Sequence, residues 1–440
     1  MATDIRAAAL EKTSTDRAEL TMPRQSALRT VLAGLIGNVL EWFDFAVYGY
    51  FASDIGKQFF PQEDRTAQQL LAFAVFALGF VARPVGSLGL GRVGDRIGRR
   101  ALLTLSIALM GGATLLLGLL PTYKQAGIVA PMLLVTMRLI QGFSLGGEFT
   151  GSMVYTTEKA SPLTRGIVSS STAVGTTLGF ILGSGSAWLV NAWLSTEEVS
   201  TWGWRVPFVA SVSLCIAGWF IRRGITETAE GLKAAAARPP LLSSLASDWL
   251  PIVQTFGVVA MTNAAYYLTF TYTVERRKSL TGEGGEAFLL ANTLSLMMVL
   301  MSKPLGGWVS DRVGRRRLML LLTVATMSLV HPALRWMLFG STAQFTHGQL
   351  LLAVPIGMAL GMQGAMVVEI FPLRTRVTSM SFAYSVTLAL AGGTAPLVST
   401  YLIERLHQPL APAYHIMVLG ALGLALMSPM KETNQRPLDV

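Results

Sequence analysis

The chain has 440 residues, of which 52% are hydrophobic and only 14% are charged. Soluble domains have about 25% charged residues, and a chain this apolar has too little polar surface to face water, so the composition excludes a soluble globular protein. The net charge of +10 is accounted for by the basic loops and lipid contacts of a membrane protein, and it predicts no nucleic-acid partner.

The hydrophobic residues occur in blocks that are each at least about 17 residues long, which is enough for a helix to cross a bilayer. The predicted spans are residues 28–51, 68–91, 101–121, 127–156, 165–190, 204–221, 250–272, 286–308, 316–338, 347–369, 376–402 and 411–429. The sequence therefore predicts an all-α membrane protein with twelve transmembrane helices.

A charged segment with a Pro pair divides these spans into two sets of six. It predicts a tail at residues 1–27, a six-helix half at 28–221, a linker at 222–249, a second six-helix half at 250–429 and a tail at 430–440. With both termini in the cytoplasm, most of the 35 Lys and Arg lie on the cytoplasmic side, as the positive-inside rule requires. One exception is the external run at residues 275–278 (ERRK), for which we hypothesise a role in attracting anions.

Two short motifs occur once in each half. Residues 91–100 read GRVGDRIGRR and residues 307–316 read GWVSDRVGRR, 216 positions apart. Residues 158–165 (EKASPLTR) and 369–376 (EIFPLRTR) form a second pair, 211 positions apart. Two matches in the same order with nearly equal offsets indicate a duplicated helical transporter. The interiors differ, because the first turn follows a span with Arg83, whereas the second follows Lys303, which is expected nearer the cytoplasmic edge.

Five charged side chains are predicted within the membrane spans, where a charge is costly and indicates function. Glu41 and Asp44 lie near the middle of span 1, Arg83 lies in span 2, and Arg138 and Glu148 lie in span 4. A carboxylate whose Arg partner changes with conformation can carry a proton. We hypothesise that Glu41 or Asp44 takes the coupling proton, with Arg138 as the partner that sets its affinity. The alternative is a permanent salt bridge that only joins helices.

Arginine, amide and phenol groups are predicted to bind the cargo. The Arg83 guanidinium can grip a carboxylate, or Arg83 could be a structural residue bound to helix carbonyls. Arg205, at the start of span 6, could also bind a carboxylate, or it could be structural and extend to water. Amides and phenols orient a polar ligand without net charge, and those predicted to do so are Asn38, Asn263, Tyr266, Tyr267 and Gln363. Because adjacent residues on a helix point about 100° apart, at most one of the two tyrosines is expected to face the cavity.

Further motifs make the chain resemble a known family. The loop at 91–100 is similar to the best-known loop motif of the major facilitator superfamily. The segments GNVLEWFDF (37–45), GFVARPVGSLGLG (79–91), RLIQGFSLGGE (138–148), GWRVPF (203–208) and AGGTAPL (391–397) narrow the resemblance to the metabolite:proton symporter family. Over residues 28–429 it implies two pseudo-symmetric six-helix halves around a central cavity, in a bacterial inner membrane.

The resemblance also implies a gate. In this superfamily the acidic residue of the loop motif bridges the two halves in one state of the cycle. Asp95, with Arg96 and Arg99, is therefore expected to contact the start of span 11. The gate residues implied at the repeated turns are Asp95, Arg96, Arg99, Glu158, Arg165, Asp311, Glu369 and Arg376.

The function expected from these features is proton-coupled import of a small organic anion of the citrate, tricarballylate or 2-oxoglutarate type. A proton symporter of a zwitterionic osmolyte such as proline or betaine is the alternative. A receptor that binds the solute without moving it is disfavoured, and no nucleophile–base pair or metal cluster indicates an enzyme. We expect no cofactor and no metal, with protons and membrane lipid as further partners of a monomer.

Overall fold

The computed structural model describes residues 24–61, 64–97, 99–146, 148–222, 241–281, 285–436 and 438. Within these ranges every regular element is helical. The predicted N-terminal tail and the predicted linker at 222–249 lie largely outside the described residues. We call residues 24–222 the N-terminal half and residues 241–436 the C-terminal half.

The N-terminal half consists of ten α-helices and one π-helical turn. The α-helices are Arg24–Tyr50 (α1), Ala52–Phe59 (α2), Arg65–Ile97 (α3), Arg99–Leu119 (α4), Tyr123–Ala126 (α5), Val129–Ser144 (α6), Glu148–Lys159 (α7), Arg165–Trp193 (α8), Thr196–Glu198 (α9) and Arg205–Arg222 (α10), and the π-helical turn is Val199–Gly203.

The C-terminal half repeats this layout after a short leading helix. Its α-helices are Leu241–Ser247 (α11), Trp249–Tyr267 (α12), Thr273–Thr281 (α13), Glu286–Val313 (α14), Arg315–Phe339 (α15), Thr342–Ile370 (α16), Arg376–Thr387 (α17), Ala395–Leu406 (α18) and Ala411–Met427 (α19), and π-helical turns occur at Leu268–Tyr272 and Leu388–Gly393.

The described helices have the lengths that a membrane protein needs. Seven segments are long and apolar enough to cross a bilayer, and an eighth is added if the bent pair Thr196–Gly203 and Arg205–Phe220 is one span. Shorter apolar helices at Thr104–Leu119 and Ala411–Met427 accompany them. Each of the twelve predicted spans coincides with one helix, or with two helices that follow each other across a break. The prediction of an all-α membrane protein is confirmed.

Glycines let neighbouring helices approach backbone to backbone, as small residues do in lipid. A Cβ at Gly142 of α6 would overlap the carbonyl oxygen of Gly79 on α3. In the C-terminal half, a Cβ at Gly361 of α16 would overlap the carbonyl oxygen of Lys303 on α14. These contacts fix the rotation of the helices, and hence the directions in which their polar side chains point.

The two halves pack against each other along α8 and α14, and along α3 and α17. We call the end of the bundle where residues 431–436 pack the tail end. The opposite end, where α2 and α13 lie, is the far end. The candidate functional residues fall into a central group between the halves and one group at each end.

Candidate functional site

A cavity lies between the halves, part-way along the helices that surround it. Helices α1, α7 and α8 line it from the N-terminal half, and α12, α14, α16 and α17 line it from the C-terminal half. The lining residues are Trp42, Phe149, Met153, Ala173, Thr176, Phe180, Asn263, Tyr266, Tyr267, Lys303, Leu360, Gln363 and Tyr384. Four of them, Asn263, Tyr266, Tyr267 and Gln363, are residues that the sequence predicted as cargo ligands.

Six of the residues that line the cavity are aromatic. The rings of Phe180 and Tyr266 meet edge to face with centroids 4.9 Å apart, and Phe149 and Tyr384 are 5.6 Å apart. The rings of Tyr266 and Tyr267 are perpendicular at 5.8 Å. The expectation that only one of these tyrosines faces the cavity is wrong, because the cavity extends around two sides of α12. Ring faces of this kind attract cations and apolar groups.

Two amides and a phenol form a polar patch on the C-terminal side of the cavity. Gln363 Oε1 accepts hydrogen bonds from Asn263 Nδ2 at 3.3 Å and from the Tyr384 hydroxyl at 3.2 Å. Gln363 Nε2 donates to the carbonyl of Val258 at 3.1 Å. The patch is therefore held in one orientation by bonds within its own half.

Lys303 is the cationic side chain of the cavity lining. Its Nζ donates to the carbonyl oxygen of Ala173 at 2.6 Å and to Thr176 Oγ1 at 2.9 Å, both on α8 of the other half. The sequence placed Lys303 nearer the cytoplasmic edge than Arg83, and that depth stays a prediction; the structure shows that Lys303 lines the cavity. Sequence reasoning noted this residue without giving it a role.

Glu41 and Arg83 form an ion pair directly behind the aromatic wall. Arg83 Nη2 lies 2.8 Å from Glu41 Oε1, and both side chains are buried. The guanidinium packs over the rings of Trp42, Phe45 and Phe80 at 5.0, 4.8 and 4.7 Å. Because Trp42 also lines the cavity, a single ring separates this ion pair from the cavity.

Asp44 and Arg138 form a second ion pair inside the N-terminal half. Arg138 Nη1 donates to Asp44 Oδ2 at 2.9 Å and to Gln141 Oε1 at 3.0 Å. Asp44 Oδ1 accepts from Gln141 Nε2 at 2.8 Å and from Thr114 Oγ1 at 3.0 Å. The sequence offered Arg138 as the partner of either acid; in the structure it contacts Asp44, whereas Glu41 contacts Arg83.

Two further predicted ligands do not line the cavity. Asn38 Nδ2 donates to the carbonyl of Thr172 at 3.4 Å. Arg205 Nη1 donates to the carbonyls of Gly118 and Leu120 at 2.9 and 2.7 Å, at the end of α4. Arg205 therefore bonds to helix carbonyls, whereas the structural alternative expected for it was extension to water. The binding roles of Asn38 and Arg205 stay predictions.

At the tail end, Asp311 joins the two halves. Its carboxylate accepts from the backbone amides of Gly166 and Ile167 at 2.8 and 3.0 Å, in the first turn of α8. Amides in the first turn lack helical partners and carry the positive end of the helix dipole, so a carboxylate is favoured there. Arg315 holds the same carboxylate at 2.8 Å.

Other ion pairs cross between the halves beside Asp311. Arg165 lies 3.4 Å from Glu369, and Arg376 lies 2.7 Å from Glu158. The C-terminal tail joins this group, since the Thr433 hydroxyl donates to Glu369 at 2.7 Å. The side chains of the predicted gate residues Asp95, Arg96 and Arg99 lie outside the described part of the structure. The gate function of all eight residues stays a prediction.

At the far end, the predicted external run forms an ion cluster between the halves. The backbone amide of Ser53 donates to Glu275 Oε1 at 2.8 Å. Lys278 Nζ donates to the carbonyl of Tyr50 at 2.9 Å and lies 3.3 Å from Glu275 and 3.7 Å from Asp54. We call Asp54, Glu275 and Lys278 the far-end cluster. Together with the contacts at Asp311, it ties the halves together at both ends of the cavity.

Known proteins resemble this chain over nearly its whole length. A family model for sugar and other transporters matches residues 30–229. The proline/betaine transporter of Salmonella typhimurium is 32% identical over 426 residues, covering 93% of this chain and 84% of that relative. The citrate-proton symporter of Klebsiella pneumoniae is 33% identical over 391 residues, covering 88% of each.

The fold matches that of solved transporters. The structure of XylE, a proton:xylose symporter of the major facilitator superfamily, aligns with a TM-score of 0.73 at 16% identity, covering 95% of this chain and 98% of that one. The chain belongs to the major facilitator superfamily. Its relatives and its fold are those of transporters rather than of enzymes. Contacts between the halves at the two ends of the cavity are the places to test.

Removing the charge at Asp311 is expected to impair turnover more than binding. In Asp311→Asn the amides of α8 and Arg315 lose their anionic acceptor; bonds to charged groups contribute about 1.5–3 kcal/mol, so we expect counterflow to slow about tenfold or more. Equilibrium binding of the solute that is used for counterflow should change little, because Asp311 does not line the cavity. Glu197→Gln, at an exposed acid, is the control. Equal losses in rate and affinity would contradict the gate role.

Removing Lys278 is expected to loosen the far end. In Lys278→Met the buried Glu275 carboxylate loses its cation, and leaving such a charge unpaired is costly. A reporter Ser184→Cys, in a Cys215→Ser background, should then react about tenfold faster with an impermeant maleimide. Lys124→Met, at an exposed lysine, is the control. An unchanged labelling rate in Lys278→Met would show that the cluster does not close this end.

Proposed function

We propose that the chain is a proton-coupled symporter of the metabolite:proton symporter family and imports a small organic anion by alternating access. The observation that carries the proposal is the central cavity with contacts between the halves at both of its ends. A solute held there can leave only when one set of contacts opens. The tail end would face the cytoplasm of a bacterium, with both termini inside, since the repeated basic turns lie there.

Proton coupling is assigned to the Glu41–Arg83 pair. When Glu41 takes a proton, Arg83 loses the negative charge of its partner, and its own positive charge can attract an anion. Arg83 packs on Trp42 of the cavity wall at 5.0 Å, so the charge change occurs beside the cargo. Proton uptake and anion binding would then favour each other. This assigns the proton to Glu41, one of the two acids that the sequence offered for it, and the anion to Arg83, as the sequence predicted.

A carboxylate of the citrate, tricarballylate or 2-oxoglutarate type is the first candidate cargo. Lys303 lines the cavity from the C-terminal half, and Arg83 lies behind Trp42 in the N-terminal half. A solute with two carboxylates could therefore bond to Lys303 while Arg83 attracts its second carboxylate, which would draw the halves together. The kinship with a citrate-proton symporter supports this class of cargo.

A zwitterionic osmolyte is the second candidate, and the aromatic wall is the observation that favours it. A quaternary or secondary ammonium is attracted to ring faces, by about 0.5–2 kcal/mol for each contact, and six rings surround this cavity. The kinship with a proline/betaine transporter supports this reading. The cavity and both sets of contacts are formed within one chain, so we propose that it works as a monomer in the lipid bilayer.

Counterflow in proteoliposomes tests the proposal and separates the two cargo classes. Proteoliposomes that contain the purified protein are loaded with unlabelled citrate, 2-oxoglutarate, proline or glycine betaine. Uptake of the labelled form of the same solute is then followed. We expect exchange of at least one of them and none in protein-free liposomes. Exchange of citrate or 2-oxoglutarate identifies the anion class, and exchange of proline or betaine identifies the zwitterion class. Binding without exchange would indicate a receptor.

A further inference from the structure

Lys303 is a buried cation that faces the cavity and belongs to neither of the ion pairs in the N-terminal half. We propose that Lys303 binds the carboxylate of the cargo and thereby exchanges its hydrogen bonds to α8 for bonds to the solute. This inference rests on the proposed function, because it assumes that a carboxylate enters the cavity. It adds the residue that decides whether a solute with a carboxylate is held.

The charge of Lys303 has no counterion in the described structure. Its side chain is 1% exposed, and its two hydrogen-bond acceptors, the Ala173 carbonyl and the Thr176 hydroxyl, are both neutral. Other buried cations have a carboxylate within 3.4 Å, as Arg83, Arg138, Arg315 and Arg376 do. A buried ammonium without a counterion is unfavourable, and an anion arriving in the cavity would relieve that cost.

The ammonium has the donor capacity to receive a carboxylate. Lysine carries three N–H donors, and two of them are engaged by α8. The third is free to bond a carboxylate oxygen as the solute enters. A charge-assisted bond is about twice as strong as a bond between neutral groups, so the carboxylate can then displace the neutral hydroxyl or carbonyl.

The backbone that carries Lys303 is held in place. A Cβ at Gly306 would overlap Met358, and a Cβ at Gly361 would overlap the carbonyl oxygen of Lys303 itself. The glycines therefore hold α14 against α16 at Lys303 and one turn after it. A side chain on so fixed a stretch of helix presents its charge at a defined place, which is what a binding residue requires.

The exchange of partners would connect binding to movement. Lys303 lies on the C-terminal half, whereas Ala173 and Thr176 lie on the N-terminal half. In the cavity without cargo these bonds tie α14 to α8. A carboxylate that takes over the ammonium weakens that tie and leaves the halves joined through the solute. This step sets the affinity for the carboxylate, whereas proton coupling is assigned to Glu41.

Equilibrium binding to the Lys303→Met protein tests the inference. The first probe is the carboxylate solute that the wild type exchanges best. The second probe is choline, which has the quaternary ammonium of betaine but no carboxylate. We expect the dissociation constant for the carboxylate probe to rise about tenfold or more, as loss of a bond to a charged group predicts. Choline should bind Lys303→Met as it binds the wild type. The Lys124→Met control, at an exposed lysine, should bind both probes as the wild type does. A carboxylate affinity within about twofold of the wild type would overturn the inference.

A second variant keeps the inference testable if Lys303→Met does not fold. Thr176→Val removes one neutral partner of the ammonium and leaves its charge in place, so carboxylate affinity should be equal to or higher than that of the wild type. Weaker binding by Thr176→Val would show that the hydroxyl, not the ammonium, holds the solute. Failure of the inference is distinct from failure of the proposed function: a wild type that exchanges no carboxylate refutes both, whereas a wild type that exchanges one with Lys303→Met unchanged refutes only the role of Lys303.

Discussion

Glu41→Gln protein is expected to exchange labelled cargo across the membrane but to lose accumulation driven by a proton gradient. Glutamine cannot take or release a proton, so transport and proton movement are uncoupled. Arg83 remains without an ionised partner, as it is after protonation of Glu41, and so cargo binding persists. The measurement is a pair of assays in the same proteoliposomes: counterflow at equal pH on both sides, and uptake under an imposed inward proton gradient.

Asp44→Asn is the comparison for this result. Asp44 is bonded by three side chains of its own half, and the described structure places no ring that lines the cavity against Arg138. We therefore expect Asp44→Asn to lose counterflow and accumulation together. If Glu41→Gln and Asp44→Asn both retain full accumulation, neither acid carries the coupling proton. If only Asp44→Asn separates exchange from accumulation, the assignment moves from Glu41 to Asp44.

Arg138→Met is expected to be the most destabilising of the substitutions considered. It leaves the Asp44 carboxylate buried with two neutral donors and no cation, and breaking a buried pair in this way costs about 3–5 kcal/mol. The thermal midpoint of the purified protein should fall accordingly. Aromatic packing adds to the loss, since the Arg138 guanidinium lies 4.5 Å from the Phe45 ring and 4.4 Å from the Tyr48 ring.

The double variant Asp44→Asn/Arg138→Met provides the control for that prediction. Replacing both charges removes the uncompensated carboxylate, and replacing a buried pair by uncharged groups is often neutral. The double variant should therefore melt closer to the wild type than Arg138→Met does. If the single variant melts with the wild type, the Asp44–Arg138 pair contributes nothing to stability and is open to a functional role instead.

The predicted spans could be recognised in the sequence because each is an apolar run of membrane length. The repeated turns also carried structural information: Asp311 bonds the first turn of α8, which is the arrangement that the resemblance implied for Asp95 at the start of span 11. A short motif with fixed spacing specifies a local turn and the acidic group that projects from it. Such features depend on neighbours in the chain and so can be read without coordinates.

The pairing of charges could not be predicted, because it depends on how each helix is rotated. Glu41 and Asp44 lie three residues apart on one helix, yet they contact arginines on two different helices, α3 and α6. Lys303 precedes Asp311 by eight residues, about 12 Å of helix, and this spacing alone did not show that Lys303 lines the cavity. How far a cavity extends along a helix depends on the packing of the opposite half, and a single sequence does not contain that information.

The central claim is that one chain moves protons and a carboxylate solute together in the same direction. It is tested most directly with wild-type proteoliposomes that contain a pH-sensitive dye, at equal pH on both sides and with the membrane potential clamped at zero. Adding the exchanged solute outside should acidify the lumen, and the Glu41→Gln protein should take up the solute without acidification. Solute entry into wild-type proteoliposomes with no change in lumenal pH would contradict the account.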